Sequence, residues 1–318
     1  MKILVTGASG FVGGSFMRRF ADQPDVSLMG VARRPTASDN HRCIDLSRPF
    51  ELDYAPDVVI HAAALASPWG RLSDYRRHNI DSTRNVISFC TRHGWPRLIY
   101  LSSSSVFYRN EHQLDLNEQS PIGPVFINDY AATKHAGEEL VRGYAGEHVV
   151  LRPRAVFGPG DTVLFPRILA AARSNKLPFF VAEGAPARGD LIYIDSLCDY
   201  MMRAATHVAP APAYNLTNAQ PVVIQDFLVD TLAKLGLPVP SRRVSIRTAM
   251  RAAAVSEYVY RTLRLAGEPP VTRFGVGVFA YSKTFDVRLA VRDFGLPSVS
   301  IEEGARRFIH WQRSQWSH

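Results

Sequence analysis

The chain reads as an α/β protein built on a doubly wound parallel sheet, with a smaller, mixed lobe toward its C-terminus. Three observations predict this: short continuous apolar runs separated by helical patterns, a glycine-rich turn directly after the first run, and a loss of regularity beyond Pro153. Apolar runs that do not alternate suit strands buried on both faces, and the helices between them supply the cover.

The first run, residues 3–6, leads into Gly7, Gly10 and Gly13, and then into Val12, Phe16 and Phe20 at helical spacing. Strand, glycine turn and helix in that order suit a dinucleotide pyrophosphate. The first glycine permits the tight turn, the second lets the backbone approach the phosphates, and the third allows close packing, while helix N-terminal amides favour the anion. The expected sheet is therefore Rossmann-like. Further strands are expected at 26–32, 58–63, 98–102 and 149–152. Segment 73–93 places Thr83, Val86, Ile87 and Cys90 at helical spacing and stops at Gly94, with Pro96 beyond. Past Pro153 the pattern is interrupted by Pro159, Pro166, Pro178, Pro186, Pro210 and Pro212. The expected division is a nucleotide-binding domain at 1–153, with 190–206 returning to it, and a substrate lobe made of 154–189 and 207–318.

With 318 residues, 46% of them hydrophobic and 21% charged, the composition is that of an ordinary globular protein and argues against disorder. Lys and Arg outnumber Asp and Glu by 37 to 29, a net charge of +8, which favours anionic ligands. The arginines are dispersed and no basic block is interleaved with aromatics, so no nucleic-acid partner is expected. Cys43, Cys90 and Cys198 are odd in number, far apart and without ligand spacing, so neither a disulfide framework nor a metal site is expected. His61, His93 and His310 likewise read as structural. A strand at the very start and no apolar run of membrane length lead to the expectation of a cytoplasmic protein. Arg242, Arg243, Arg247, Arg251, Arg261 and Arg264 decorate a segment carrying Met250, Val255, Tyr258 and Leu263. Such a helix can rest on an anionic membrane, although most pack on their own protein.

Tyr130 and Lys134, at i and i+4, share one helix face. A free phenol titrates near about 10, and a neighbouring ammonium together with the positive charge of an oxidised nicotinamide would draw it down, so Tyr130 is the expected general acid or base, with Lys134 also holding the nicotinamide ribose. The serines at 102–105 end a strand on the carboxyl edge of the sheet, where a hydroxyl can polarise a carbonyl. After the second strand stand Arg33 and Arg34 rather than an acidic residue; guanidinium groups there favour a 2′-phosphate and hence NADP, with NAD the alternative.

Together these residues resemble the extended short-chain dehydrogenase/reductase family over nearly the whole chain. The turn bearing Gly7, Ser9, Gly10, Phe11, Val12 and Gly13 is similar to its nucleotide turn. Asp45 and Leu46 resemble its adenine-contacting pair, His61 to Ala64 (with Ala62 and Ala63) the strand facing the cofactor, and Asn79 the asparagine of the following helix. The serine segment, Ser102 and Ser103 above all, resembles the catalytic one, with Ser103 matching the catalytic hydroxyl. Arg152, Pro153, Val156 and residues 157–160 resemble the stretch flanking the nicotinamide. Phe107 and Tyr108 replace the Tyr-Gly pair that usually follows the serines.

Three stretches are similar to the 3β-hydroxysteroid dehydrogenase and 2-alkyl-3-oxoalkanoate reductase branch: Pro68, Trp69 and Gly70; residues 157–161 with Pro166 and Arg167; and residues 268–274 followed by Phe285, Asp286 and Glu302 to Gly304. The resemblance implies NADP-dependent interconversion of a ketone and a secondary alcohol on a largely apolar substrate, a 3-oxo acid or sterol-like compound. Ser104 and Phe126 would then contact the substrate. Arg188 lies where sugar-nucleotide epimerases of the family bind a diphosphate, so an epimerase, dehydratase or ketoreductase acting on a sugar nucleotide is the alternative enzyme. A non-catalytic NAD(P)-sensing protein is the alternative of another class. The resemblance further implies a homodimer formed through paired helices.

Overall fold

A computed structural model describes residues 1–36, 38–181 and 184–316. Seven strands form the central sheet: β1 (Lys2–Thr6), β2 (Ser27–Ala32), β3 (His41–Cys43), β4 (Val58–His61), β5 (Arg97–Leu101), β6 (His148–Pro153) and β7 (Ala213–Leu216). Their order is β7-β6-β5-β4-β1-β2-β3, and every neighbouring pair is parallel. The continuous apolar runs are explained by two separate cores. Ile3, Val5, Ile60, Ile99, Leu101, Val149 and Leu151 face one core, while Leu4, Val59, Leu98, Tyr100 and Val150 face the other. Each strand thus alternates between two dry layers, and burial on both sides is what removes the polar positions.

Helix α1 (Phe11–Arg19) follows the glycine turn and packs on α4 (Ile194–Thr206) on the first face. On the second face lie α2 (Ser82–Arg92) and α3 (Asp129–Arg142). The strand order reverses between β1 and β4, which opens the crevice used by ligands of such sheets.

Two departures from the periodicity have physical causes. Segment 72–92 is helical throughout, but Arg76–Asp81 is a π-turn, a wider winding that no apolar period reveals. Strand β7 extends the sheet beyond β6, whereas residues from 207 onward were expected in the smaller lobe; Tyr214 and Leu216 are fully buried there, but Pro210 and Pro212 obscure the strand in the sequence. Beside the main sheet stands a four-stranded mixed sheet in the order Val222–Val223, Arg188–Gly189, Lys283–Phe285 and Gln113–Leu116. Strand Phe179–Val181 pairs with Arg243–Ser245, which leads into α5 (Ile246–Thr262). Among the described residues no helix is long and apolar enough to cross a membrane.

Helix α3 positions the candidate catalytic pair. Its N-cap is Asn128, whose side chain accepts the Ala131 N–H at 2.9 Å, so Tyr130 falls in the first turn and Lys134 one turn deeper. The helix lies directly on β5 because Gly137 has no Cβ; one placed there would overlap the Tyr100 hydroxyl. Alanine in a helix interior is normally favoured over glycine by about 1 kcal/mol. Here the overlap dominates. We expect Gly137→Ala to lower stability by about 1–3 kcal/mol, the usual cost of overpacking, and to reduce turnover in the fraction that folds. Thermal unfolding checks this, and an unchanged or raised melting temperature would contradict it.

Candidate active site

The dinucleotide end is built from backbone. Gly7 adopts φ +71°, and a Cβ on it would stand 2.8 Å from the Ala63 nitrogen, so the turn after β1 touches the segment after β4. A Cβ on Gly13 would come within 2.5 Å of the Gly7 carbonyl oxygen, and one on Gly10 within 3.1 Å of the same atom. This cradle fits a pyrophosphate. Thr6 ties it down: its hydroxyl meets His61 Nδ1 at 2.7 Å and accepts the Ala63 N–H at 3.2 Å. His61 Nε2 lies 3.0 Å from the Thr83 hydroxyl, and burial, helped by the charge of Lys134, holds its imidazole near 3, hence neutral. Ala62 and Ala64 flank this contact.

At the adenosine end, Arg34 donates to the Ser9 carbonyl at 3.2 Å and Arg33 lies 3.2 Å from His78 Nε2. Asp45 accepts the Ser47 N–H at 3.0 Å, and the Leu46 carbonyl accepts from Asn85 at 2.9 Å. Asn79, aimed inward by the π-turn, accepts the Leu65 N–H at 2.7 Å and donates to Thr133 of α3 at 3.1 Å. One buried amide therefore joins the loop after β4 to the catalytic helix.

At the other end, Ser103 caps a short helical turn, Ser104–Phe107, and its hydroxyl hydrogen-bonds with that of Ser105 at 2.9 Å. Tyr130 is half-buried; burial raises its phenol above the ordinary value, and the nearby Ser103 hydroxyl works against the rise. The two hydroxyls expected to share a carbonyl oxygen are thus neighbours. Lys134 is buried, with Nζ 4.1 Å from the centre of the Tyr100 ring; desolvation pushes its ammonium down to about 7, opposed by Glu138. The charge of Lys134 is spent on Tyr100, Glu138 and His61, and desolvation governs Tyr130.

Glu138 was missed in the sequence, although it continues the Tyr130 and Lys134 stripe by one more turn. It is completely buried and accepts from Arg152 Nε at 2.9 Å and Nη2 at 2.7 Å, while Ser102 donates to it at 2.5 Å. Tyr108 was missed as well; it is buried, its hydroxyl hydrogen-bonded with Ser104 at 2.9 Å. Pro153 and Val156 bracket a turn in which Ala155 has φ +43°.

Phe126 packs against His135, with ring centres 5.3 Å apart, and not among the residues that line the cavity next to Tyr108. Arg188 lines a separate cavity of about 1030 Å³ together with Val181, Ile246, Met250, Arg251 and Tyr281. The branch-specific stretches converge. Arg167 pairs with Glu268 at 2.8 Å and donates to Ser67 at 3.2 Å, and Arg261 lies 5.2 Å over the Trp69 ring. Tyr75 donates to the Ser67 carbonyl and sets its ring 6.5 Å from that of Tyr130, which connects this cluster to the catalytic side.

Residues 3–217 match the NAD dependent epimerase/dehydratase family. The chain belongs to that family. A 2-alkyl-3-oxoalkanoate reductase of Stenotrophomonas maltophilia (strain K279a) is 34% identical, the match covering 96% of this chain and 98% of that protein. A 3beta-hydroxysteroid-dehydrogenase/decarboxylase isoform 2 of Arabidopsis thaliana is 32% identical over 83% of this chain and 50% of its own length. Among solved structures, MoeE5 in complex with UDP-glucose and NAD superposes with a TM-score of 0.75 at 23% identity, covering 99% of this chain and all of that one. That likeness carries the fold. Family membership makes the protein an NAD(P)-dependent enzyme.

Proposed function

We propose that the protein is an NADP-dependent oxidoreductase interconverting a ketone and a secondary alcohol on a largely apolar substrate. The observation that carries this reading is the nearness of Tyr130 to Ser103 at the carboxyl edge of the sheet, with Lys134 buried one turn further along the same helix. Two relatives matched over 96% and 100% of this chain are named 2-alkyl-3-oxoalkanoate reductase and sterol-4-alpha-carboxylate 3-dehydrogenase, which supports this reading. The bound dinucleotide supplies or accepts the hydride.

In reduction, Tyr130 gives its hydroxyl proton to the carbonyl oxygen while the carbonyl carbon gains the hydride's electron pair. The C=O π bond becomes an O–H and a C–H bond. In oxidation Tyr130 takes the proton back. Ser103 donates to the same oxygen and holds it in place. A raised phenol suits an acid that keeps its proton until the oxygen needs it. Lys134 holds the ribose hydroxyls with its ammonium, and the residues of the glycine cradle with Asp45, Leu46, Asn79, Pro153 and Val156 hold the rest of the dinucleotide. Val181, Ile246, Met250 and Ala254 are among the apolar residues lining the large cavity, whose lining does not include Ser103 or Tyr130; a long alkyl chain or ring system could extend toward it. The same cavity holds Arg188, which keeps a sugar nucleotide as the second reading. On this reading the dinucleotide sits on the large sheet, and the segments after Pro153 other than Ala213–Leu216 supply most of the substrate's surroundings.

Tyr130→Phe should lower kcat by roughly 100- to 10,000-fold, the worth of a positioned general acid, with dinucleotide affinity nearly unchanged. Wild-type turnover in that variant overturns the reading. Arg33 and Arg34 support NADP over NAD because their guanidiniums stand at the end of β2 without an acidic neighbour on that strand. Replacing both with Ala should cut the NADP-to-NAD ratio of kcat/KM at least tenfold. An unchanged ratio in steady-state assays would assign the preference elsewhere.

A further inference from the structure

Helix α5 carries an apolar strip on its outer side. Ala249, Ala253 and Glu257, spaced four apart, are buried and turn the inner side toward Val276 of the helix Arg273–Ala280. Val255 and Tyr258 lie on the other side and are 63% and 70% exposed; Val259 beside them is exposed too. Leu263, 65% exposed, and Leu265 continue the strip just past the last turn. Positions 255, 258, 259 and 263 repeat at helical spacing, so their side chains are neighbours. Single exposed apolar residues are ordinary on a protein surface, but a contiguous strip on a helix that already buries its other side marks a docking surface.

Charge decides what the strip fits. Residues 242–267 contain six arginines and a single carboxylate, Glu257, which is buried and paired with Arg273 at 2.8 Å. Glu268, next along the chain, is paired with Arg167 at 2.8 Å. Arg242, Arg251 and Arg264 are exposed and form no ion pair among the described residues. A second copy of this face would bring arginine against arginine, which disfavours self-pairing. An anionic bilayer meets both features, because its headgroups attract guanidinium groups while the acyl boundary accepts Val255, Tyr258 and Leu263.

The place of the helix gives such a seat a use. Ile246, Met250 and Ala254 of α5 line the cavity of about 1030 Å³. At its far end Arg261 stands over Trp69, in the cluster that reaches Tyr130 through Tyr75. We propose that α5 and the leucines after it seat the protein on an anionic membrane surface, from which an apolar molecule passes into the cavity. The inference goes beyond the oxidoreductase reading and is tested without turnover, so either can fail alone.

The test floats the full chain with vesicles of phosphatidylcholine alone or mixed with phosphatidylglycerol. At low salt the mixed vesicles should carry roughly tenfold more protein than the neutral ones, and NaCl should release it by screening the arginines. Tyr258→Ser with Leu263→Ser, and separately Arg242→Gln with Arg264→Gln, should each weaken binding by roughly tenfold at an unchanged melting temperature. On mixed vesicles the backbone amides of 255–265 should exchange more slowly than in solution, a readout that needs no variant and decides alone should one unfold. No binding to mixed vesicles, equal binding to both kinds, full binding by both variants, or protection confined to another part of the chain overturns the membrane seat. A lipid-free dimer that Tyr258→Ser with Leu263→Ser dissociates also overturns it, by assigning the face to a second copy.

Discussion

The site depends on a buried carboxylate that receives four donors, the longest of them Arg142 Nη2 at 3.5 Å. Glu138, on α3, is gripped by both nitrogens of the Arg152 fork from β6 and by the hydroxyl of Ser102 at the end of β5. The catalytic helix, the catalytic serine strand and the strand beside it are thereby held in one register. The geometry is the bidentate one that arginine makes best, and the Phe107 ring, 5.0 Å from the guanidinium, closes it from solvent. A buried pair of this kind adds little net stability over an apolar replacement, yet losing one partner costs about 3–5 kcal/mol. Its value lies in geometry: Tyr130 and Lys134 stand on the same stripe of α3 as Glu138, so fixing one end of the stripe fixes the other.

Around that bracket the protein separates two tasks. The glycine-turn end is built from backbone and small residues, where Gly7, Gly13 and Ala63 approach within contact, and from neutral hydrogen-bonding side chains such as Thr6, His61 and Asn79. The end proposed for substrate chemistry is built from side chains of distant segments. The cluster of Ser67, Trp69, Arg167, Arg261 and Glu268 adjoins the catalytic side through Tyr75, while Tyr108, Arg154 and Lys283 adjoin it through Ser104. The first arrangement suits any member of the family, and the second can vary between members without disturbing the sheet.

The parallel sheet, the glycine turn and the Tyr130 and Lys134 pair were legible in the sequence because each is a local pattern: an apolar run, a turn, an i and i+4 spacing. What was not legible depends on contacts between segments far apart. Glu138 meets Arg152 only after two strands pair, and Arg154 meets Lys283 across 129 positions, so neither pairing has a spacing to read. Strand β3 was hidden because it is a short edge strand of polar residues, and β7 because prolines precede it.

A double-mutant cycle on Glu138 and Arg152, read in kcat/KM, tests most directly whether the bracket sets the catalytic geometry. Glu138→Gln and Arg152→Met should each lower kcat/KM by roughly 10- to 100-fold in folded protein, and the double variant should lose no more than the worse single, because both act through one contact. Single variants that fold and turn over at the wild-type rate, or losses that multiply in the double variant, would contradict it.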